Sequence, residues 1–162
     1  MDKLVKNRSI VTYKDFNKIR KISSNDVEVE LLSHNLMVDY ECFKNSAYAG
    51  EPCTFNLNIH NLGRKALVNT KVFFNFSENL IPIITSVYVN KRLYKKGDLR
   101  NGIYIGSLAT YETINIVFMC KVFPSSSNQT FSQALVTYSF YDNEMLINLE
   151  QFSNLVSIKV LG

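Results

Sequence analysis

Two stretches of the chain alternate apolar and polar residues with a period of two. In CTFNLNIHNLG (53–63), Cys53, Phe55, Leu57 and Ile59 fall on one side and Thr54, Asn56, Asn58 and His60 on the other. In TINIVFMCKVF (113–123), Ile114, Ile116, Phe118, Cys120 and Val122 share a side. That period belongs to extended strands with one dry and one wet face, as in an antiparallel sheet packed on a core. It sets the frame for the rest of the chain.

From Leu36 onward the sequence reads as short strands separated by turn signals. LMVDYECF (36–43) is a first strand and NSAYAGEP (45–52) a turn. NTKVFFNF (69–76) and IPIITSVYVN (81–90) are further strands, with Pro82 near a strand start, where a missing N–H costs least. GDLRNG (97–102) is turn chemistry, IYIGSL (103–108) a short strand and PSSSNQT (124–130) a loop. SQALVTYSFYDN (132–143) and SNLVSIKVLG (153–162) are two closing strands. No helix competes. Strands of this length and spacing predict an all-β antiparallel β-sandwich of two packed sheets over 35–162.

The first 34 residues contain a repeat of the closing strands. Ile10, Val11, Thr12 and Tyr13 match Leu135, Val136, Thr137 and Tyr138. After a linker of different length, Ser24, Asn25 and Val27 recur as Ser153, Asn154 and Val156, and Val29 and Leu31 stand for Ile158 and Val160. Residues 1–34 are therefore expected to form an extra N-terminal β-hairpin, with the remainder of that second copy absent from this sequence. A lone hairpin is marginal in water and must pack on something. Ile10, Val11, Tyr13, Val27, Val29 and Leu31 are its candidate assembly residues. The hairpin docks either on its own domain or on a neighbouring subunit by strand addition, or it is a degenerate remnant. Docking between subunits joins unlike surfaces, which gives a ring or an open filament of the protein with itself.

The chain has 162 residues, 46% of them hydrophobic, and a net charge of +4. These are globular values, and the mild, mixed charge of KRLYKKGDLR (91–100) reads as a solvated hairpin rather than a nucleic-acid contact. No stretch is apolar enough to span a bilayer as a helix, and the N-terminus lacks the apolar core of a Sec-type signal peptide. Cys42, Cys53 and Cys120 are an odd set without a Cys-x-x-Cys pair, so neither a disulfide scaffold nor a zinc site is expected. Alternation turns Cys53 and Cys120 inward, as free core thiols or as an internal bridge. Cys42 is the candidate for a cross-link between subunits.

Catalytic signatures are missing. His34 and His60 lie in different segments without ligands at metal spacing. Asp39, Glu41, Glu51 and Glu112 are scattered over strands and turns, and no phosphate-binding loop or nucleophile motif occurs. Tyr94, Tyr104 and Tyr111 are candidates for a carbohydrate-binding surface. The expectation is a non-enzyme without metal or cofactor.

Several segments together resemble the bacterial repeat called "domain of unknown function eleven". GEPCTFNLNIHNLG (50–63) resembles its Gly-Asp, alternating strand and Asn-x-Gly; IITSVYVN (83–90) resembles its Ser-Val-x-Val-Asn strand. NGIYIGSLATYETINIVFMCKV (101–122), ALVTYSF and SNLVSIKV resemble the strands that follow. The resemblance implies an immunoglobulin-like fold and a structural, non-catalytic role on a bacterial cell or spore surface, with other surface proteins as further partners. Gly50-Glu51 departs from the family's Gly-Asp. Some related domains carry an internal Lys–Asn isopeptide bond; the Lys position falls at Tyr40 and the Asn position at Ser132, so that bond is not expected here. The N-terminal copy has Asn7 at that place, read as a hydrogen-bonding residue at a strand start.

Overall fold

The computed structural model describes residues 3–16, 18–31, 35–95, 99–124 and 126–161. The chain divides into two compact units, Met1–His34 and Asn35–Gly162.

The larger unit is a sandwich of two sheets. Its first sheet runs in the order β11(Arg92–Leu93), β10(Tyr88–Val89), β13(Thr113–Val122), β7(Pro52–Asn61), β5(Leu36–Cys42), with β9(Leu80–Pro82) also on β13. The second runs β12(Ile103–Leu108), β8(Leu67–Phe76), β14(Gln129–Asp142), β16(Val156–Leu161), β6(Ser46–Tyr48), with β15(Met145–Phe152) paired to the far half of β14. All pairings are antiparallel except β16 with β6. The β7–β13 register sets Cys53 opposite Cys120, Phe55 opposite Phe118 and Leu57 opposite Ile116.

Alternation places the core. Cys53, Phe55, Leu57 and Ile59 are buried, as are Ile114, Ile116, Phe118, Cys120 and Val122. They face Leu67, Val72 and Phe74 of β8 and Ala134, Val136, Tyr138 and Phe140 of β14. Phe55 stacks on Phe118 with centroids 5.4 Å apart, and Phe74 meets Phe118 edge-on at 4.7 Å. The outer face of the first sheet is polar: the Asn115 carboxamide donates to Asn56 at 2.6 Å and Asn58 at 2.8 Å.

Three expectations need correction. Residues 81–90 are not one strand: a 3-10 turn at Ile84–Ser86 separates β9 from β10, and the Ser86 hydroxyl accepts from the Met119 N–H. The stretch read as a turn at 45–52 contains β6, and the loop read at 124–130 ends in the first residues of β14. Met145–Phe152 forms β15, a strand that was not expected. The basic stretch does form a hairpin, β10–β11, turning at Asn90-Lys91 with φ of 48° and 64°. Residues 96–98 of that stretch lie outside the described residues.

The smaller unit is a ribbon of four strands, where two were expected. β1(Lys3–Asn7) pairs with β4(Val27–Leu31), and β2(Ile10–Asp15) pairs with β3(Lys18–Ser23).

Candidate assembly site

The sandwich ends in a closing ribbon. The first half of β14 pairs with β16, Ser132 opposite Val156 and Thr130 opposite Ile158. Its second half pairs with β15, Leu135 opposite Phe152 and Val136 opposite Gln151. Between the two ladders, Gln133 and Ala134 face Ser153, Asn154 and Leu155, a bulge of one extra residue. Ser153 organises it. Its N–H donates to the Ala134 carbonyl at 2.9 Å, its hydroxyl accepts from the Ala134 N–H at 2.9 Å and donates to the Asn154 carbonyl at 2.8 Å.

This turns Asn154 toward β5, the edge strand of the other sheet. The Asn154 Oδ1 accepts from the Tyr40 N–H at 3.0 Å, and its Nδ2 donates to the Tyr40 carbonyl at 2.7 Å. One carboxamide thus takes the place of a neighbouring strand at Tyr40. A second link joins the Tyr40 hydroxyl to the Ser132 hydroxyl at 2.7 Å. The Tyr40 ring stacks on Phe55 at 5.6 Å. Burial pushes the Tyr40 phenol well above its ordinary range, with the Ser132 hydrogen bond acting in the opposite sense. Tyr40 and Ser132, the two positions singled out by the family resemblance, are therefore in direct contact through their hydroxyls.

The N-terminal ribbon repeats this backbone pattern rung for rung. Asn7 lies opposite Val27 as Ser132 lies opposite Val156, and Val5 opposite Val29 as Thr130 lies opposite Ile158. Ile10 lies opposite Ser23 as Leu135 lies opposite Phe152. Its bulge is the same: Arg8 and Ser9 face Ser24, Asn25 and Asp26. The Ser24 N–H donates to the Ser9 carbonyl at 2.8 Å. The Ser24 hydroxyl accepts from the Ser9 N–H at 3.0 Å and donates to the Asn25 carbonyl at 2.9 Å. An Arg8–Asp26 pair, with bonds of 2.5 and 2.9 Å, braces it further. The linker of different length has a simple cause. The β14–β15 hairpin carries two extra rungs, Tyr141–Leu146 and Asp142–Met145, beyond the pair Phe140–Ile147 that corresponds to Asp15–Lys18.

The two ribbons differ in burial. Val136 and Tyr138 are 0% and 4% exposed, whereas Val11 and Tyr13 are 61% and 42% exposed. Val156 is buried and Val27 half exposed. Covering such side chains stabilises by about 1.5–3 kcal/mol each when the burial is complete. Ile10 is exposed as well; Val29 and Leu31 hold the register positions of Ile158 and Val160. The Asn25 carboxamide makes no hydrogen bond among the described residues. The repeated Ser-Asn pair was the signal for the clasp in the sequence, since it survives where the residues around it change.

The remaining candidates have local roles. Cys53 and Cys120 are fully buried free thiols on paired strands. Cys42 is a half-buried free thiol. Burial raises the Cys53 thiol to about 11 and pushes Cys42 and Cys120 up as well. His60 Nδ1 lies 2.9 Å from the Thr113 hydroxyl, and its Nε2 lies 3.8 Å from Asp39. His34 lies outside the described residues. Glu41 accepts from Asn56, Glu112 from the Ala109 N–H, and Glu51 is paired with Lys44. Among the described residues no three His, Cys, Asp or Glu are grouped to hold a metal ion. Tyr94 follows β11, Tyr104 sits on β12 and Tyr111 on the turn before β13, and no ring contact joins them among the described residues. Asn61 of the Asn-x-Gly motif is buried, its Nδ2 donating to the carbonyls of Lys65 and Ala109.

No protein-family model matches the chain, and no curated protein matches it in sequence. Solved structures do match in fold. The full-length major pilin SpaD of Corynebacterium diphtheriae is 11% identical, with a TM-score of 0.55 to two figures for two of its domains and 0.56 for the full-length chain. That full-length match covers 76% of this chain and 34% of the pilin. AvmM, described as catalysing macrocyclization in alchivemycin A biosynthesis, is 14% identical with a TM-score of 0.55, covering 79% of this chain and 89% of its own. BslA, described as a bacterial hydrophobin, is 9% identical with a TM-score of 0.50, covering 78% and 93%. At these identities the likeness is one of fold: an immunoglobulin-like, all-β sandwich.

Proposed function

We propose that the chain is a structural, non-catalytic subunit of a bacterial surface assembly, joined to a head-to-tail neighbour by strand addition of its N-terminal ribbon. The neighbour is a second copy of this chain or another surface protein of the same architecture. The observation that carries the reading is the ribbon 3–31, folded in the register of a closing ribbon yet with the apolar residues Ile10, Val11, Tyr13 and Val27 exposed. Exposed two-stranded ribbons with such side chains are pairing elements. The scattered, locally bonded carboxylates favour a scaffold over an enzyme. The resemblance to the surface repeat supports the setting, a cell or spore surface. Among the described residues no helix is long and apolar enough to cross a membrane.

Sedimentation velocity of the full chain and of residues 35–162 tests this. The full chain is expected to form concentration-dependent oligomers or filaments, and the shortened chain to stay monomeric. Equal, monomeric behaviour of both would remove the self-assembly. A monomeric binding or adhesion module is the second reading. A shallow groove on the second sheet, lined by Asn69, Lys71, Thr137, Asn148 and Glu150, is the observation in its favour.

A further inference from the structure

We infer that the acceptor of the N-terminal ribbon is an immunoglobulin-like sandwich of this domain's own kind that lacks a closing ribbon, and that Asn25 clasps the backbone of its first strand. This rests on the strand-addition reading above and, of the two neighbours offered there, takes the second, a protein of the same architecture other than an intact copy of this chain.

Three observations carry it. First, the ribbon has the register of β14–β16, including the offset between its two ladders and the three hydrogen bonds around the Ser24-Asn25 bulge. A ribbon with that geometry offers Asn25 where Asn154 sits, and Asn154 makes two hydrogen bonds to the Tyr40 backbone at the edge of β5. Second, the positions that face the core in the closing ribbon are kept apolar or small, apart from Asn7. Val5, Asn7, Ser9, Val11 and Tyr13 stand where Thr130, Ser132, Ala134, Val136 and Tyr138 are buried; Val27 and Val29 stand where Val156 and Ile158 are buried. Third, the seat on the domain 35–162 is already filled. β14 occupies the edge of β8 from Phe76 to Val68, and Asn154 holds Tyr40. An intact copy would have to give up its own tethered ribbon to accept another. A sandwich complete through the strand equivalent to β13, and without a closing ribbon, presents the same seat with nothing to displace.

The match stops at the hairpin tip. Asp15 stands where Phe140 is buried, and it is ion-paired with Arg20 at 2.9 Å. The N-terminal hairpin is also two rungs shorter, so its charged end falls where the longer one continues along β14.

The test is a spliced chain in which residues 35–127 are placed directly before Lys3 of the full protein. The repeat offset makes that junction continuous, since Lys3 corresponds to Asn128. Hydrogen–deuterium exchange is then compared residue by residue with the parent chain. Ribbon amides over Ile10–Ser23 are expected to slow by at least about 100-fold, as local opening gives way to opening of a whole sandwich. Asn25→Ala in the spliced chain is expected to return about tenfold of that protection. Ribbon amides exchanging at the parent rate, or an added segment that stays unfolded beside a folded parent sandwich, would overturn the inference. A parent chain that stays monomeric removes the homopolymer but leaves this inference standing. A parent that polymerises while the spliced ribbon stays unprotected does the reverse.

Discussion

The closing ribbon of the sandwich and the N-terminal ribbon share a backbone and differ in what covers them. Both have two antiparallel ladders offset by a Ser-Asn bulge, and equivalent residues face each other across both. Yet Tyr138 is buried and Tyr13 is 42% exposed. Ladder geometry is thus local, fixed by strand pairing and by one serine that bonds its own bulge. Burial is supplied from outside, by β8 and by the opposite sheet. A ribbon that keeps the local geometry, and keeps apolar residues at the equivalent positions, is what the strand-addition proposal above starts from.

Matched substitutions sharpen this contrast. Tyr138→Ala removes a buried ring and should lower stability by about 3–5 kcal/mol in urea denaturation, whereas Tyr13→Ala should stay within about 0.5 kcal/mol. Equal losses would mean that the N-terminal ribbon is already covered in the isolated protein. The Asn pair gives a smaller difference. Asn154→Ala strips both bonds from the Tyr40 backbone and should cost about 1–2 kcal/mol by the same measurement; Asn25→Ala should leave the transition unmoved.

A third effect is alkaline. The buried Cys53 thiol titrates at about 11, against an ordinary value of 9.0. Below 9.0 the thiol is protonated in both folded and unfolded chains, so nothing depends on pH. Between 9.0 and about 11 the unfolded chain loses the proton first, which favours unfolding, so stability falls as pH rises through that window. The urea midpoint should decline there alike in the full chain and in residues 35–162, because all three cysteines lie in the sandwich. Cys53→Ala should make the decline shallower. A limb that vanished with the first 34 residues would place the titration in the ribbon instead.

The sequence carried the sandwich well wherever one strand face is dry. β5, β7 and β13 were legible because Leu36, Val38 and Tyr40, and their counterparts on β7 and β13, alternate strictly. β15 was not, because it lies beside the outer half of β14 with both faces largely wet and shows no apolar rhythm. The break at Ile84–Ser86 was hidden for the opposite reason: its β-branched residues suit a strand, and the Ser86 hydroxyl that holds the turn finds its partner 33 residues away. The repeat located the N-terminal ribbon but not the contact that Asn154 makes in the closing one. Asn154 reaches Tyr40 across 114 residues of chain, and no local pattern encodes that contact. The conjunction of Ser24-Asn25 with Ser153-Asn154 was the trace it left.

The central claim is tested most directly by the side-chain amide of Asn25, followed by nitrogen-15 NMR in the parent and spliced chains. A ribbon seated on a sandwich through this clasp predicts that the Asn25 carboxamide protons move toward the shifts and slow exchange of those of Asn154 once the preceding sandwich is supplied. A carboxamide that kept a solvent-exposed shift and fast exchange in a folded, spliced protein would contradict it.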